Sequence, residues 1–334
     1  MLGGALTSAF NWSWIFFVNV PVGILVLALT PFLLRESRAE LDHRHFDTAG
    51  AVSITGGLML LVYAMTRAAQ NGWATVETIG LLATSAALVI GFVVIELRSK
   101  APLLPLGIFR LRTLSASNLS GFLLAGSLFS QFFLLTLYMQ QVLHYSAMQT
   151  GVAYIAFTLA IILVSNVAQA LVTRVGIRRI LPVGLSLVAV ALVLNAQLPV
   201  HGHYFWNIFP QFLIGGIGLA LTFVPLVIGG LTGVRQQDAG VASGLFTTSQ
   251  QIGGAIGVAL AVTISTTLTT HYVASHPGAT ALSPGALTYG FSVAFYVLAG
   301  LAVLGALVAA VFIQDKPAEE ASQPVGEVEL AEAA

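Results

Sequence analysis

Cysteine is missing from this chain, and charge is scarce. Without a thiol there is no disulfide, no thiolate metal site and no cysteine nucleophile. Charged residues make up 8% of the 334 positions, too few to coat a water-soluble globule, while apolar residues make up 57%. Basic and acidic residues cancel at 13 each, so no imbalance points to nucleic acid or a polyanionic substrate. Strict two-residue alternation, the mark of a membrane β-barrel, is absent as well. So is any carboxylate, lysine, arginine or histidine at the middle of a long apolar run, where a proton relay would be expected. His43 and His45 fall in one loop, and His144, His201, His203, His271 and His276 fall at or near the opposite face. A haem would need histidines inside the helices, and a zinc site would need clustered ligands, for which His201 and His203 are too loosely placed. No metal and no cofactor is therefore expected. No nucleophile–base or carboxylate pair sits in the apolar runs, which argues against an enzyme.

What the chain has is apolar length. About 20 mainly apolar residues cross a bilayer as a helix. Such runs lie near 12–34, 48–68, 77–97, 113–138, 149–172, 180–199, 205–231, 239–267 and 287–313. Backbone amides in lipid must bond within their own segment, so the expected fold is all-α, a polytopic transmembrane helical bundle of about nine spans. Alternate loops hold Arg35, Arg38 and Arg44; Arg98, Lys100, Arg110 and Arg112; Arg174, Arg178 and Arg179; Arg235; and Lys316. The opposite loops carry only Arg67. Positive residues stay inside, so these loops and the C-terminus are expected to be cytoplasmic. Arg67 and Glu77 flank one outer turn, and Glu96 sits beside Arg98 at the inner boundary. All four read as interface anchors.

Polar residues within the spans fall in stripes at helical spacing. The fourth span gives Ser120, Ser127, Gln131 and Tyr138; the fifth gives Tyr154, Thr158, Ser165 and Gln169. The seventh gives Asn207, Gln211, Gly215, Gly218 and Thr222, and the eighth gives Gly240, Gly244, Thr247, Gln251 and Gly254, with Gln250 alongside. Gly240/Gly244 and Gly253/Gly257 are small-xxx-small pairs suited to helix packing. The glutamines admit two readings, cross-helix bonding or cavity lining, because an unpaired amide must face protein or water. Aromatics in the same spans, with no buried Arg or Lys, suit an amphipathic ligand better than a phosphate or carboxylate.

Four stretches carry a resemblance. "LGGALTSAFNWSWIFFVNVPVG" (2–23), "APLLPLGIFRLRT" (101–113), "LYMQQVLHYSAMQTG" (137–151) and "GVASGLFTTSQQIGGAIGVA" (240–259) occur in the order of similar segments in the fourteen-helix drug:proton antiporters of the major facilitator superfamily, the EmrB/QacA type. The chain departs from the family pattern at Ser13, His144 and Thr247. The resemblance implies that the nine spans are helices six to fourteen. Residues 1–34 would then end an N-terminal bundle, and 35–112 would hold a cytoplasmic loop, an inserted two-helix hairpin packed at the periphery and the following loop. Residues 113–313 would form a six-helix bundle, and 314–334 a disordered acidic cytoplasmic tail. It also implies that the chain lacks helices one to five, with their proton-coupling charges, and begins mid-protein. The implied function is the C-terminal part of a proton-coupled multidrug exporter in the cytoplasmic membrane. Its partners would be the lipid bilayer, small amphipathic substrates and protons, with any membrane-fusion partner open. A transport-incompetent remnant or accessory structural subunit is the alternative. Gln131, Tyr138, Tyr154, Gln211, Gln250 and Gln251 are the expected cavity residues; Gly240, Gly244, Gly253 and Gly257 are the expected packing residues.

Overall fold

Long apolar runs with no ladder partner can satisfy their amides only as helices, and the computed structural model shows helices throughout, with no strand among the described residues. It describes residues 2–33, 47–99 and 102–314. Arg35, Arg38, His43, Arg44, His45, Lys100, Lys316 and the acidic tail lie outside them.

The chain opens with α1 (Leu2–Ala9), the single turn α2 (Trp14–Phe17) and α3 (Asn19–Leu33). A helical hairpin follows, α4 (Thr48–Asn71) and α5 (Val76–Arg98). Asp47 caps α4 by accepting from the Gly50 N–H at 2.8 Å, and Gly72, at φ 97°, makes the turn that only glycine adopts without strain. The strap after α5 ends in a 3-10 turn, Leu106–Arg110. Beyond it come α6 (Arg112–Leu137), α7 (Ala147–Ala153), α8 (Ile155–Val175), α9 (Ile177–Ala196), α10 (Phe209–Leu231), α11 (Ala239–Ser275) and α12 (Pro284–Phe312). Among the described residues, nine helical stretches are long and apolar enough to cross a membrane. They coincide with the nine expected runs. The differences are at the ends: α6 and α10 adjoin single π-helical turns, Tyr138–Val142 and Tyr204–Ile208, and α11 runs on to Ser275.

Helices α6 and α8 to α12 form the six-helix bundle. α6 is its axis, bordered by α10, α11 and α12, while α9 lies between α10 and α12. Close approach is set by small residues. A Cβ on Gly253 would meet the Phe122 carbonyl, and one on Gly257 would meet the Gly126 backbone, so α6 and α11 touch main chain to main chain. Hydroxyls tie α6 to α12: Ser120 Oγ donates to the Gly305 carbonyl and Ser127 Oγ to that of Leu298, both at 3.1 Å. The hairpin leans on the bundle through α4 and α11, where Trp73 Nε1 donates to Thr263 Oγ1 at 3.2 Å.

Candidate functional site

The bundle sorts the expected cavity residues into three groups. Tyr138 and Gln211 are tied inward. Tyr138 is buried and its hydroxyl donates to the Pro199 carbonyl at 2.7 Å, fastening the end of α6 to the loop after α9. Gln211 Nε2 donates to the Leu194 carbonyl of α9 at 3.1 Å. Tyr154 is half-buried and bonded on both sides, to the Phe132 carbonyl and Thr136 Oγ1, each at 3.1 Å.

Gln131 stands apart. It is only 3% exposed, while the buried amide oxygen left without a hydrogen-bond partner on the neighbouring helix is Gln211 Oε1. Beside Gln131 four rings close on one another: Phe132–Tyr154, Phe132–Phe157, Tyr154–Phe212 and Phe157–Phe212, with centroids 4.9 to 6.0 Å apart. Such spacing is favourable for aromatic pairs. Gly215 lies across from Gln131: a Cβ there would crowd Ala191 Cβ at 3.3 Å and the Phe157 ring at 3.4 Å, with Gln131 Nε2 in ordinary contact at 4.0 Å.

The third group faces open space. Gln251 is exposed and lines a cavity of about 590 Å³ between α4 and α11, with Thr247, Thr248 and Ile252 on one wall and Leu58, Met59, Val62, Tyr63 and Thr66 on the other. A second cavity of about 490 Å³ continues it, sharing Val62 and Thr66 and closing on Phe129 and Gly254. No charged residue lines either. Gln250 is half-buried on the neighbouring face, against Gly121 of α6.

The glycines divide as well. Gly253 and Gly257 make the α6–α11 crossing, but nothing lies within 4 Å of a Cβ built at Gly240 or Gly244. The packing expected at those two is corrected here: below Gly253, α11 meets α6 through Ser249, Phe246 and Ala242, and the flank that carries Gly240 and Gly244 is free among the described residues. Two sets of residues escaped the sequence reading. Gly126, the partner of Gly253 and Gly257, was hidden because one glycine shows no pair spacing. The α4 wall was hidden because the hairpin has few polar residues and was expected to sit at the periphery.

The sequence pattern described as Major Facilitator Superfamily matches residues 1–258. A puromycin resistance protein of Streptomyces alboniger is 32% identical over 95% of this chain and 63% of its own length. A tetracenomycin C resistance and export protein of Streptomyces glaucescens is 32% identical over 78% of this chain and 48% of its own. A cephamycin export protein of Amycolatopsis lactamdurans is 34% identical over 79% and 55%. The chain thus spans between about half and two thirds of these relatives. A matched pattern over most of the chain, laid on nine apolar helices with a six-helix bundle, places it in one family: the chain belongs to the Major Facilitator Superfamily.

Proposed function

We propose that this chain is the C-terminal bundle and two-helix insertion of a fourteen-helix, proton-coupled exporter of amphipathic compounds, seated in the cytoplasmic membrane with its C-terminus inside. Superfamily membership supports transport, and the names of the relatives, which are resistance and export proteins, support drugs as cargo. The arginine asymmetry supports the orientation. Proton coupling rests on the resemblance alone.

The observation that carries the reading is the groove between α4 and α11. Its walls are aliphatic and aromatic, and its polar side chains are the uncharged Tyr63, Thr66, Thr247, Thr248 and Gln251. That combination fits an amphipathic molecule with a modest polar end, and offers nothing to balance a phosphate. Gln131 beside its ring of aromatics, and Gln250 on the adjoining face, extend the same polarity toward the bundle interior. In this superfamily one bundle rocks against another around a midplane site. The free flank of α11, Gly240 to Gln251, is the surface we assign to that encounter.

The test uses the absence of cysteine. Thr247→Cys and Gln251→Cys, introduced singly, should react with a maleimide, and ethidium or puromycin should slow that reaction. Ala279→Cys, in the loop before α12, should be indifferent to both compounds. Equal labelling at all three positions with and without compound would remove the groove as a substrate site.

A further inference from the structure

From the sequence, Arg67 and Glu77 are expected only as interface anchors flanking one outer turn. The structure joins them into an arrangement that reaches the groove. Tyr63, Arg67 and Asn71 stand four residues apart on one face of α4, so their side chains can meet. Arg67 Nε donates to the Tyr63 hydroxyl at 3.0 Å, and Arg67 Cζ lies over the same ring, 5.4 Å from its centroid. Across the hairpin, Glu77 Oε1 is 3.4 Å from Arg67 Nε, and Glu77 Oε2 accepts from Asn71 Nδ2 at 3.3 Å.

The turn that brings Glu77 to this point is closely specified. Gly72 reverses the chain, and its carbonyl accepts from Thr78 Oγ1 at 3.0 Å. Thr75 Oγ1 accepts from the Thr78 N–H at 3.3 Å and caps α5. Glu77 thereby sits in the first turn of α5, where the helix dipole favours a carboxylate.

Tyr63 is the end of this chain of contacts that a ligand would meet. It is 47% exposed and lines the groove wall opposite Thr247 and Gln251. A ring so open would swing among rotamers if its hydroxyl and one face were not held. A ligand that meets a preorganised group loses less entropy on binding. The charge behind the ring also matters. Aromatic faces attract cations through their negative quadrupole. A guanidinium already over the ring is always protonated, and it opposes a second cation on the other face.

We propose that Tyr63 is the stacking platform of the groove, and that Arg67, steadied by Glu77, positions it and biases it toward neutral planar aromatic groups over cationic ones. This rests on the groove being the cargo site of the proposed exporter.

Gln251→Cys, reacted with a maleimide in proteoliposomes, reads occupancy of the opposite wall. The probes are aminoanthracene, neutral and planar, and ethidium, planar and cationic. Both should slow the reaction. Adding Tyr63→Leu should raise the half-protecting concentration of aminoanthracene about fivefold. Adding Arg67→Leu should move the probes in opposite directions, with protection about threefold weaker for aminoanthracene and about threefold stronger for ethidium. A hairpin that was merely loosened would weaken both. Arg67→Lys keeps the charge without the planar fork, so ethidium should gain less than in Arg67→Leu. Arg67→Leu shifts of the same sign for both probes, or no shift for either, overturn the positioning role and leave the groove standing. No protection by either compound removes the groove as a site, and this proposal with it.

Discussion

α3 and α6 are both apolar, both long enough to reach across most of a bilayer with their flanking turns, and they are treated in opposite ways. None of the apolar window of the first span is buried, whereas 61% of that of α6 is. Yet α3 is the more hydrophobic of the two, rich in Leu, Val and Ile, and α6 carries Ser115, Ser117, Asn118, Ser120, Ser127, Ser130 and Gln131. In water the ranking would be reversed. In lipid, burying a leucine against another helix removes it from a solvent as apolar as itself, so hydropathy does not choose the centre. Small residues that allow close approach, and polar groups that lipid cannot satisfy, choose it instead.

The sharpest way to break this comparison is to put the same side chain at a glycine in each region. Gly253→Leu forces a branched side chain into the Phe122 carbonyl, with only backbone to yield. Gly23→Leu in α3 meets nothing within 4 Å. Overpacking of this kind costs about 3 kcal/mol, occasionally more, against a near-neutral change in α3. Thermal unfolding in detergent, followed by size-exclusion recovery, reads both. Equal losses would mean that the α6–α11 crossing is not where the bundle is held.

A smaller effect is expected from single hydroxyls. Tyr138→Phe removes the bond to the Pro199 carbonyl and should cost about 1 kcal/mol. Ser127→Ala removes the link to Leu298 of α12 and should cost about 0.6 kcal/mol, the average for such bonds between membrane helices. Thr30→Ala in α3 is the control, since Thr30 bonds only to Val26 within its own helix. A cost at Thr30 as large as that at Tyr138 would contradict the contrast.

This contrast also explains what could be read from the sequence. All nine spans were legible, because length and apolarity are local properties that lipid enforces. Gly253 and Gly257 share a pair spacing in the sequence, and the structure sets both against the α6 backbone. The roles of the polar stripes were not legible. Ser127, Gln211 and Gln251 look alike in sequence, each a polar residue in an apolar run, yet one bonds to α12, one to α9 and one faces a groove. Which of these holds depends on the neighbouring helix, and that is tertiary information. Gly240 and Gly244 failed for the same reason: spacing shows that a helix could be approached closely, not that anything approaches it. Glu96 and Arg98 look alike as charges at one helix end, yet α5 turns Arg98 outward and Glu96 inward.

The smallest effect is predicted for the outer surface of α3 itself. Leu27 and Phe32 are 75% and 85% exposed, among the most open apolar side chains of the molecule. If that surface meets lipid, Leu27→Ala and Phe32→Ala exchange one apolar contact for another, and stability in a bilayer should move by less than about 0.5 kcal/mol. Leu134→Ala in α6, where the side chain is fully buried, should cost about 2 to 5 kcal/mol through the cavity it leaves. The measurement is steric-trapping or denaturant unfolding in lipid bicelles, with all three variants compared in the same bilayer. A loss of more than about 1 kcal/mol at Leu27 or Phe32 would place α3 against protein, because only a packed partner leaves a cavity when a side chain is shortened. The exposed face would then be an interface, and the contrast between α3 and α6 would become a contrast between two packed helices.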